Sequence, residues 1–122
     1  MSKIEDLNAI RDVAKLYFDG THYSDGDKME RAFMEGCQII GKTMREERDD
    51  WIASIRKRPS PDSKGAAYDY EIQSITIDGG IATAKLRTPI NGMVFTDVMT
   101  LLKGENGVWR VYAKVFYRQP EA

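Results

Sequence analysis

The feature that most constrains the fold is a pair of β-rich segments near the C-terminal end, separated by Asn106-Gly107. Asn-Gly favours the positive φ angles that tight β-hairpin turns require, because those turns match the twist of the strands that they join. The segments 94–103 and 108–117 are both rich in apolar and β-branched residues. We therefore predict that they form an antiparallel hairpin.

Alternation sorts the side chains of this hairpin into two faces, because successive residues of a strand point to opposite sides of a sheet. The first face carries no charge and is predicted to point into the core: Val94, Thr96, Val98, Thr100, Leu102, Trp109, Val111, Ala113, Val115 and Tyr117. The second mixes charges with large apolar groups and is predicted to point outward: Phe95, Asp97, Met99, Leu101, Lys103, Arg110, Tyr112, Lys114, Phe116 and Arg118.

The N-terminal half has helical patterns. Apolar residues recur at helical spacing over residues 2–19, and Gly20 follows as a predicted stop. Asp27 and Thr43 are each followed by Glu three residues later, which is the sequence signature of a helix N-terminus. We therefore expect two further helices, one ending at Gly36 and one at about residue 57.

The C-terminal half reads as strands. Segments 68–77 and 81–89 alternate apolar with polar residues, and a change of phase inside 68–77 predicts a β-bulge. Residues 37–40, earlier in the chain, are predicted to form a further short strand. Asn91-Gly92 predicts one more tight turn. Helices first and an antiparallel meander second predict an α+β fold, in which the helices lie on one face of a curved antiparallel sheet.

Composition limits the possible functions. A chain of 122 residues with 30% charged residues is expected to form a single domain over residues 1–122. Its net charge of −1 gives no reason to expect a nucleic-acid partner, and the lack of a long apolar segment predicts a cytoplasmic protein without membrane contact. One Cys and one His do not make a ligand set, so neither a metal nor a cofactor is expected.

One motif is interpreted as accidental. Residues 36–43 match the phosphate-loop pattern G-x-x-x-x-G-K-T. A phosphate loop follows a buried strand, whereas a helix is predicted before Gly36. The β-branched residues inside the motif also favour a strand over a loop.

Several of these residues resemble a known family. The helix ending in Tyr17-Phe18-Asp19-Gly20, the Ala32-Phe33 pair and the run from Phe95 to Phe116 resemble the nuclear transport factor 2-like superfamily, and within it the branch described as putative lumazine-binding (polyketide-cyclase-like). The resemblance implies a cone-shaped curved antiparallel sheet wrapped around N-terminal helices, an apolar pocket and a homodimer.

Ketosteroid isomerase lies in the same superfamily and uses a carboxyl base with an acidic donor. On this resemblance Thr100 falls at the position of the acidic donor, Gly41 falls near that of the base, and Tyr17 matches the first-helix tyrosine. Both carboxyls therefore look absent, and no inward hairpin position is expected to carry a carboxylate or a histidine. Isomerase chemistry of that kind is not predicted.

The pocket and the dimer interface are assigned from the predicted faces. The inward residues expected to line a ligand pocket are Tyr17, Phe33, Trp51, Val98, Thr100, Ala113 and Tyr117. The outward residues expected to form a self-complementary dimer interface are Phe95, Asp97, Met99, Tyr112, Lys114 and Phe116. Asp97 and Lys114 are expected to be neighbours across the hairpin.

Three functions remain open on these grounds. The leading hypothesis is a dimeric domain that binds a small, flat hydrophobic molecule without a cofactor. The alternative is an enzyme of the isomerase, dehydratase or polyketide-cyclase type, with Tyr17 or Tyr117 as the acid. A third possibility is an interaction module whose interior is filled by side chains.

Overall fold

The structure is a computed structural model that describes residues 2–121. Its elements in chain order are the helices α1 (Lys3–Tyr23) and α2 (Gly26–Ala32), the strands β1 (Phe33–Gly41) and β2 (Met44–Glu47), the helix α3 (Arg48–Lys57), a short 3-10 turn (Asp62–Lys64), and the strands β3 (Glu71–Asp78), β4 (Ile81–Ile90), β5 (Met93–Lys103) and β6 (Trp109–Pro120). Within this part of the chain, no helix is long and apolar enough to cross a membrane.

The six strands form one curved, unclosed sheet in the order β2-β1-β6-β5-β4-β3. Strands β3 to β6 are a meander of antiparallel hairpins, as predicted. The sheet is mixed, because β1 pairs with β6 in parallel. The prediction of a purely antiparallel sheet is wrong at this one pair, where the first strand lies beside the last strand and runs in the same direction.

The helices cover one face of the sheet, called the inner face here, and the core lies between them. Alternation in β4 is as predicted, with Ala82, Ala84 and Leu86 buried. The start of α1 is tied to the sheet by polar contacts to the Asp6 carboxylate, which accepts from Trp109 Nε1 at 3.0 Å and lies 3.1 Å from Lys103 Nζ. These contacts fix the direction in which α1 crosses the sheet.

Two bulges set the phase of the strands. The register of β3 against β4 shifts between Ile72 and Ser74, which confirms the predicted bulge. A second shift lies in the hairpin of β5 and β6: Thr100 pairs with Ala113 while Leu101 pairs with Val111, so Tyr112 is an extra residue. Because one extra residue moves every following side chain to the other face, β6 changes phase at Tyr112.

The predicted faces of the last hairpin are therefore wrong over most of its length. Trp109 and Val111 are buried as expected, but beyond Tyr112 the inner face carries Lys114. In β5 the inner face carries Asp97, Met99 and Leu101, and the residues predicted to be inward alternate with them on the other side.

The solvent side of the sheet, called the outer face here, carries Ile40, Val98, Tyr112, Val115 and Tyr117. Of these residues, the bulge moves Val115 and Tyr117 to this side. Val98 is 40% exposed, although its predicted place was in the core. Asp97 beside it is 0% exposed, although it was predicted to be outward.

Helix boundaries also differ from the prediction. α1 continues through Gly20 and ends at Tyr23, and its C-cap residue Ser24 takes a left-handed conformation with φ of 51°. The N-cap of α2 is Asp25, whose carboxylate accepts from the backbone N–H groups of Asp27 and Lys28. Residues 44–47 are the edge strand β2 and not a first helical turn, because they pair with β1 across a tight hairpin.

The segment that matches the phosphate-loop pattern is part of this hairpin. Residues 36–41 belong to β1, and Lys42 and Thr43 form the turn to β2. The pattern therefore lies in extended backbone and in a two-residue turn, which do not wrap around a phosphate group. The strand predicted inside the motif is confirmed. The helix predicted to end at Gly36 is wrong at its end, because α2 ends at Ala32 and β1 begins at Phe33.

The facing of β5 can be tested with two matched substitutions. Met99→Thr should lower the free energy of unfolding by about 2–5 kcal/mol, because it removes packed apolar volume and buries a hydroxyl. Val108→Thr, in the connection between β5 and β6 at a position that is 45% exposed, should change it by less than about 0.5 kcal/mol. Urea unfolding followed by circular dichroism measures both values, and the reverse ranking would contradict the observed facing.

Candidate ligand-binding site

A pocket of about 420 Å³ opens between α1, α3, the turn from β1 to β2 and the adjoining ends of the central strands. It is lined by aromatic, hydroxyl and cationic side chains and by one carboxylate. The lining residues are Tyr17, Thr21, Gly41, Lys42, Thr43, Met44, Glu46, Trp51, Ser54, Arg58, Ile90, Phe95, Lys114, Phe116, Tyr117 and Arg118.

Beneath the pocket lies a buried polar network centred on the Asp97 carboxylate. Its Oδ2 atom accepts hydrogen bonds from the Tyr17 hydroxyl at 2.8 Å and from the Thr88 hydroxyl at 2.7 Å. Both Asp97 and Thr88 are 0% exposed. The network joins α1 to β4 and β5, so it positions the Tyr17 ring in the pocket wall.

The Lys114 ammonium lies between this carboxylate and the pocket. Its Nζ atom is 3.7 Å from Asp97 Oδ1, close enough for an ion pair but beyond hydrogen-bond distance. The same ammonium lies 4.7 Å from the ring centroid of Tyr17, 4.6 Å from that of Trp51 and 5.3 Å from that of Phe116. These distances are within the range of cation–π attraction, so three rings hold the charge at the base of the pocket.

Burial changes the proton affinities of this network. Desolvation, and then the adjacent Asp97 charge, raise the pKa of the Tyr17 hydroxyl well above its usual value. Desolvation lowers the pKa of Lys114, and the attraction of Asp97 opposes that change. Tyr17 therefore keeps its proton and donates a hydrogen bond to Asp97. Both properties make Tyr17 a poor acid toward a bound molecule.

Arg58 supplies a second cation to the pocket wall. Its side chain is half-buried, and its Nε atom is buried without a hydrogen-bond partner within residues 2–121. Desolvation lowers the pKa of this guanidinium. The backbone carbonyl of Arg58 accepts from the Ser24 hydroxyl at 3.3 Å, which anchors the end of α3 to the end of α1.

Gly41 leaves room for an aromatic wall. A Cβ atom at this position would lie 2.5 Å from Cζ of the Phe116 ring, far inside van der Waals contact. Phe116 in turn packs against Phe95, with ring centroids 5.5 Å apart. The absence of a side chain at Gly41 therefore allows the Phe116 ring to lie against the β1–β2 turn.

The structure brings together some of the predicted pocket residues. Tyr17, Trp51 and Tyr117 line the pocket, the last at its mouth with 60% exposure. Phe33 is buried behind the wall, 5.6 Å from Tyr17 and 4.9 Å from Trp51 between ring centroids.

The remaining predicted pocket residues lie elsewhere. Val98, Thr100 and Ala113 are on the solvent side of the sheet, because their strands have the opposite phase to the predicted one. Of the predicted interface residues, Phe95, Lys114 and Phe116 line the pocket, while Asp97 and Met99 are buried beneath the helices. Only Tyr112 is exposed as predicted.

The expectation that no inward hairpin position carries a carboxylate is wrong, because Asp97 is inward and contacts Tyr17. The predicted proximity of Asp97 and Lys114 was a usable signal: two opposite charges among large apolar residues are as compatible with a buried pair as with a surface pair. Arg58 follows Arg56 and Lys57 at the end of a predicted helix, where cations are expected from the helix dipole alone, so the sequence predicts a solvated helix end and does not distinguish Arg58 from the other two.

His22 follows the predicted end of the first helix, so the sequence predicts an exposed loop histidine, and this prediction is wrong. His22 is 2% exposed within α1, and its Nδ1 atom lies 2.7 Å from the Tyr70 hydroxyl. The rings of Tyr23, Tyr68 and Tyr70 surround it with centroid distances of 4.9 to 5.5 Å. Within residues 2–121, no three potential metal ligands of the His, Cys, Asp and Glu types come together.

Comparison with known proteins gives a consistent family and fold. The family model described as Putative lumazine-binding matches residues 5–117. The search of curated proteins gives no match. The chain is similar to an NTF2-like protein of unknown function from Shewanella baltica OS155, with 28% identity, 99% of each chain covered and a TM-score of 0.85.

Two further solved structures share the fold at lower identity. An NTF2-like protein of unknown function from Silicibacter pomeroyi DSS-3 has 24% identity and a TM-score of 0.81, with 98% of this chain and 100% of that chain covered. A ketosteroid isomerase-like protein from Erwinia carotovora atroseptica SCRI1043 has 12% identity and a TM-score of 0.73, with 96% of this chain and 98% of that chain covered. The predicted α+β fold of curved sheet and N-terminal helices is confirmed.

The buried pair of Asp97 and Lys114 gives a test of the site architecture. Asp97→Asn should lower the free energy of unfolding by about 3–5 kcal/mol, because it leaves the Lys114 ammonium buried without a countercharge. Asp97→Asn combined with Lys114→Met should recover part of this loss. Asp12→Asn, an exposed carboxylate of α1, serves as the control and should change the value by less than about 0.5 kcal/mol. Urea denaturation measures all three, and a harmless Asp97→Asn would contradict a buried pair.

Proposed function

Since the chain belongs to the Putative lumazine-binding family, we propose that it is a small-molecule-binding domain whose ligand occupies the pocket between α1, α3 and the β1–β2 turn. The observation that carries the proposal is a polar anchor at the base of an aromatic pocket, the Lys114 ammonium among the rings of Tyr17, Trp51 and Phe116. Ligand pockets characteristically combine apolar walls with a few fixed polar groups.

The shape of the lining favours a flat ligand. Five aromatic side chains contribute to the walls: Tyr17, Trp51, Phe95, Phe116 and Tyr117. Aromatic faces stack on planar rings, whereas they pack less completely against branched aliphatic groups. Hydroxyl groups of Thr21, Thr43 and Ser54 also line the pocket and supply donors and acceptors that orient the ligand.

An enzyme of the isomerase, dehydratase or polyketide-cyclase type is the second candidate, favoured by the inward carboxylate of Asp97. Its Oδ2 atom already accepts two hydrogen bonds, and Asp97 does not itself line the pocket. Tyr17 donates to it and has a raised pKa. A proton shuttle would therefore depend on Glu46, the one carboxylate among the lining residues. Binding requires no such group and is the simpler proposal.

A homodimer is part of the proposal, with its interface moved to the outer face of the sheet. Val98 and Val115 are direct cross-strand partners, and Ile40 pairs with Val115 from the other side, so an apolar row crosses three strands. Val98, Tyr112, Val115 and Tyr117 are each at least 40% exposed. A second copy that presents the same row would remove this surface from water.

Binding can be tested with naphthoate as a flat probe and Trp51 fluorescence as the signal. Gly41→Ala should weaken the affinity at least about tenfold, because the added methyl group displaces the Phe116 ring from the pocket wall. The control is Gly80→Ala, where a Cβ atom meets nothing within 4 Å, and its affinity should match that of the unmodified protein. If naphthoate fails to bind, or if both variants bind it equally, the proposed pocket is wrong.

The dimer is tested by sedimentation of two charged variants. Val115→Lys should convert dimers to monomers, because it places a charge in the centre of the apolar row. Ile4→Lys introduces the same group at a position in α1 that is 72% exposed and should leave the dimer intact. A monomeric unmodified protein, or a dimer that survives Val115→Lys, would exclude this interface.

A further inference from the structure

The charges around the pocket are unevenly distributed, and this asymmetry extends the proposed function. Four cationic side chains and one carboxylate line it: Lys42, Arg58, Lys114, Arg118 and Glu46. The whole chain has a net charge of −1, so this concentration of positive charge is local. Lys42 and Arg118 are exposed, whereas Lys114 and Arg58 are buried and half-buried.

The Lys114 ammonium keeps donors for a ligand. Asp97 Oδ2 is occupied by the hydroxyls of Tyr17 and Thr88, and Asp97 Oδ1 lies 3.7 Å from Nζ with no hydrogen-bond partner among the described residues. The carboxylate therefore balances the charge of Lys114 without engaging its N–H groups. The surrounding rings attract the charge but accept no conventional hydrogen bonds.

Of the two inner cations, Lys114 and Arg58, Arg58 is the one without a balancing charge. No carboxylate lies within 4.0 Å of its guanidinium in the part of the chain that the structure describes, whereas Arg56, two residues earlier, contacts both Asp27 and Glu30. Its Nε–H is buried and makes no hydrogen bond there. A buried donor without an acceptor is costly, and a bound oxyanion would satisfy it.

We infer that the ligand of the proposed pocket is a monoanion, a planar aromatic carboxylate whose charged end binds between Arg58 and Lys114. Lys114 is already paired with Asp97, so Arg58 leaves one inner positive charge to be balanced, and a carboxylate supplies one negative charge. The planar guanidinium of arginine matches the two oxygens of a carboxylate. The rings of Trp51, Phe95 and Phe116 then cover the faces of the aromatic part.

The inference rests on the proposed function, and a matched pair of probes separates the two. Naphthoate and naphthamide have the same ring and nearly the same shape but differ by one charge. The unmodified protein should bind naphthoate at least about tenfold more tightly than naphthamide, since charge-assisted hydrogen bonds replace neutral ones. Calorimetric titration in moderate salt measures both affinities.

Arg58→Gln should reduce this preference to less than about threefold while leaving the naphthamide affinity nearly unchanged, because it removes only the charge-specific contact. Arg58→Lys should retain part of the preference. Lys57→Gln removes the same charge from the neighbouring exposed position and should retain the full preference.

The outcomes are distinguishable. Binding of both probes with equal affinity by the unmodified protein would overturn the monoanion and leave the pocket standing. An equal loss of preference in Lys57→Gln and Arg58→Gln would also overturn the monoanion proposal, because the overall positive electrostatic field near the pocket would then explain the preference without a direct contact to Arg58. If neither probe binds, the proposed function itself fails, and the inference fails with it.

Discussion

The structure depends on one buried carboxylate. Asp97 accepts hydrogen bonds from a hydroxyl of α1 and a hydroxyl of β4, and it balances the charge of an ammonium on β6. The helix α1 and three strands therefore meet at one side chain that water does not reach. Burying a charge is unfavourable unless its partners are in place, so this carboxylate tolerates one arrangement of helix and sheet and penalises others. That selectivity fixes where α1 lies on the sheet, and the pocket is the space that this placement leaves.

The same groups serve stability and the proposed ligand recognition. Tyr17 and Lys114 belong both to the network beneath the pocket and to the pocket lining. A change in either one alters the folded state and the ligand site together, so activity measurements on such variants need unfolding data beside them. Arg58, Phe95 and Gly41 affect the pocket from outside the network. They are the positions at which ligand preference can change while the support of the helix remains intact.

The fold was largely predictable, and the site was not. Alternation gave β4 and its buried Ala82, Ala84 and Leu86, and turn chemistry gave the hairpin at Asn91-Gly92. Alternation alone assigns the two faces of β5 in reverse. Both faces of this strand are apolar enough to be buried, and the charge of Asp97 favours the outward assignment for its own face. The partners that make this charge tolerable, Tyr17 and Thr88, lie 80 and 9 residues away in the chain. The extra residue at Tyr112 gives no sequence signal, because neither Gly nor Pro marks it, and it moves Lys114 to the inner face.

The hairpin of β1 and β2 forms one wall of the pocket, and it lies at the margin of the sheet. β2 has four residues and is bonded only to β1. Lys42, Thr43, Met44 and Glu46 reach the pocket from this hairpin, which has no strand on its other side to constrain its length. Insertions or deletions here would resize the cavity without disturbing the core. The margin of the sheet is thus where the size of the pocket can change while the framework of the fold is kept.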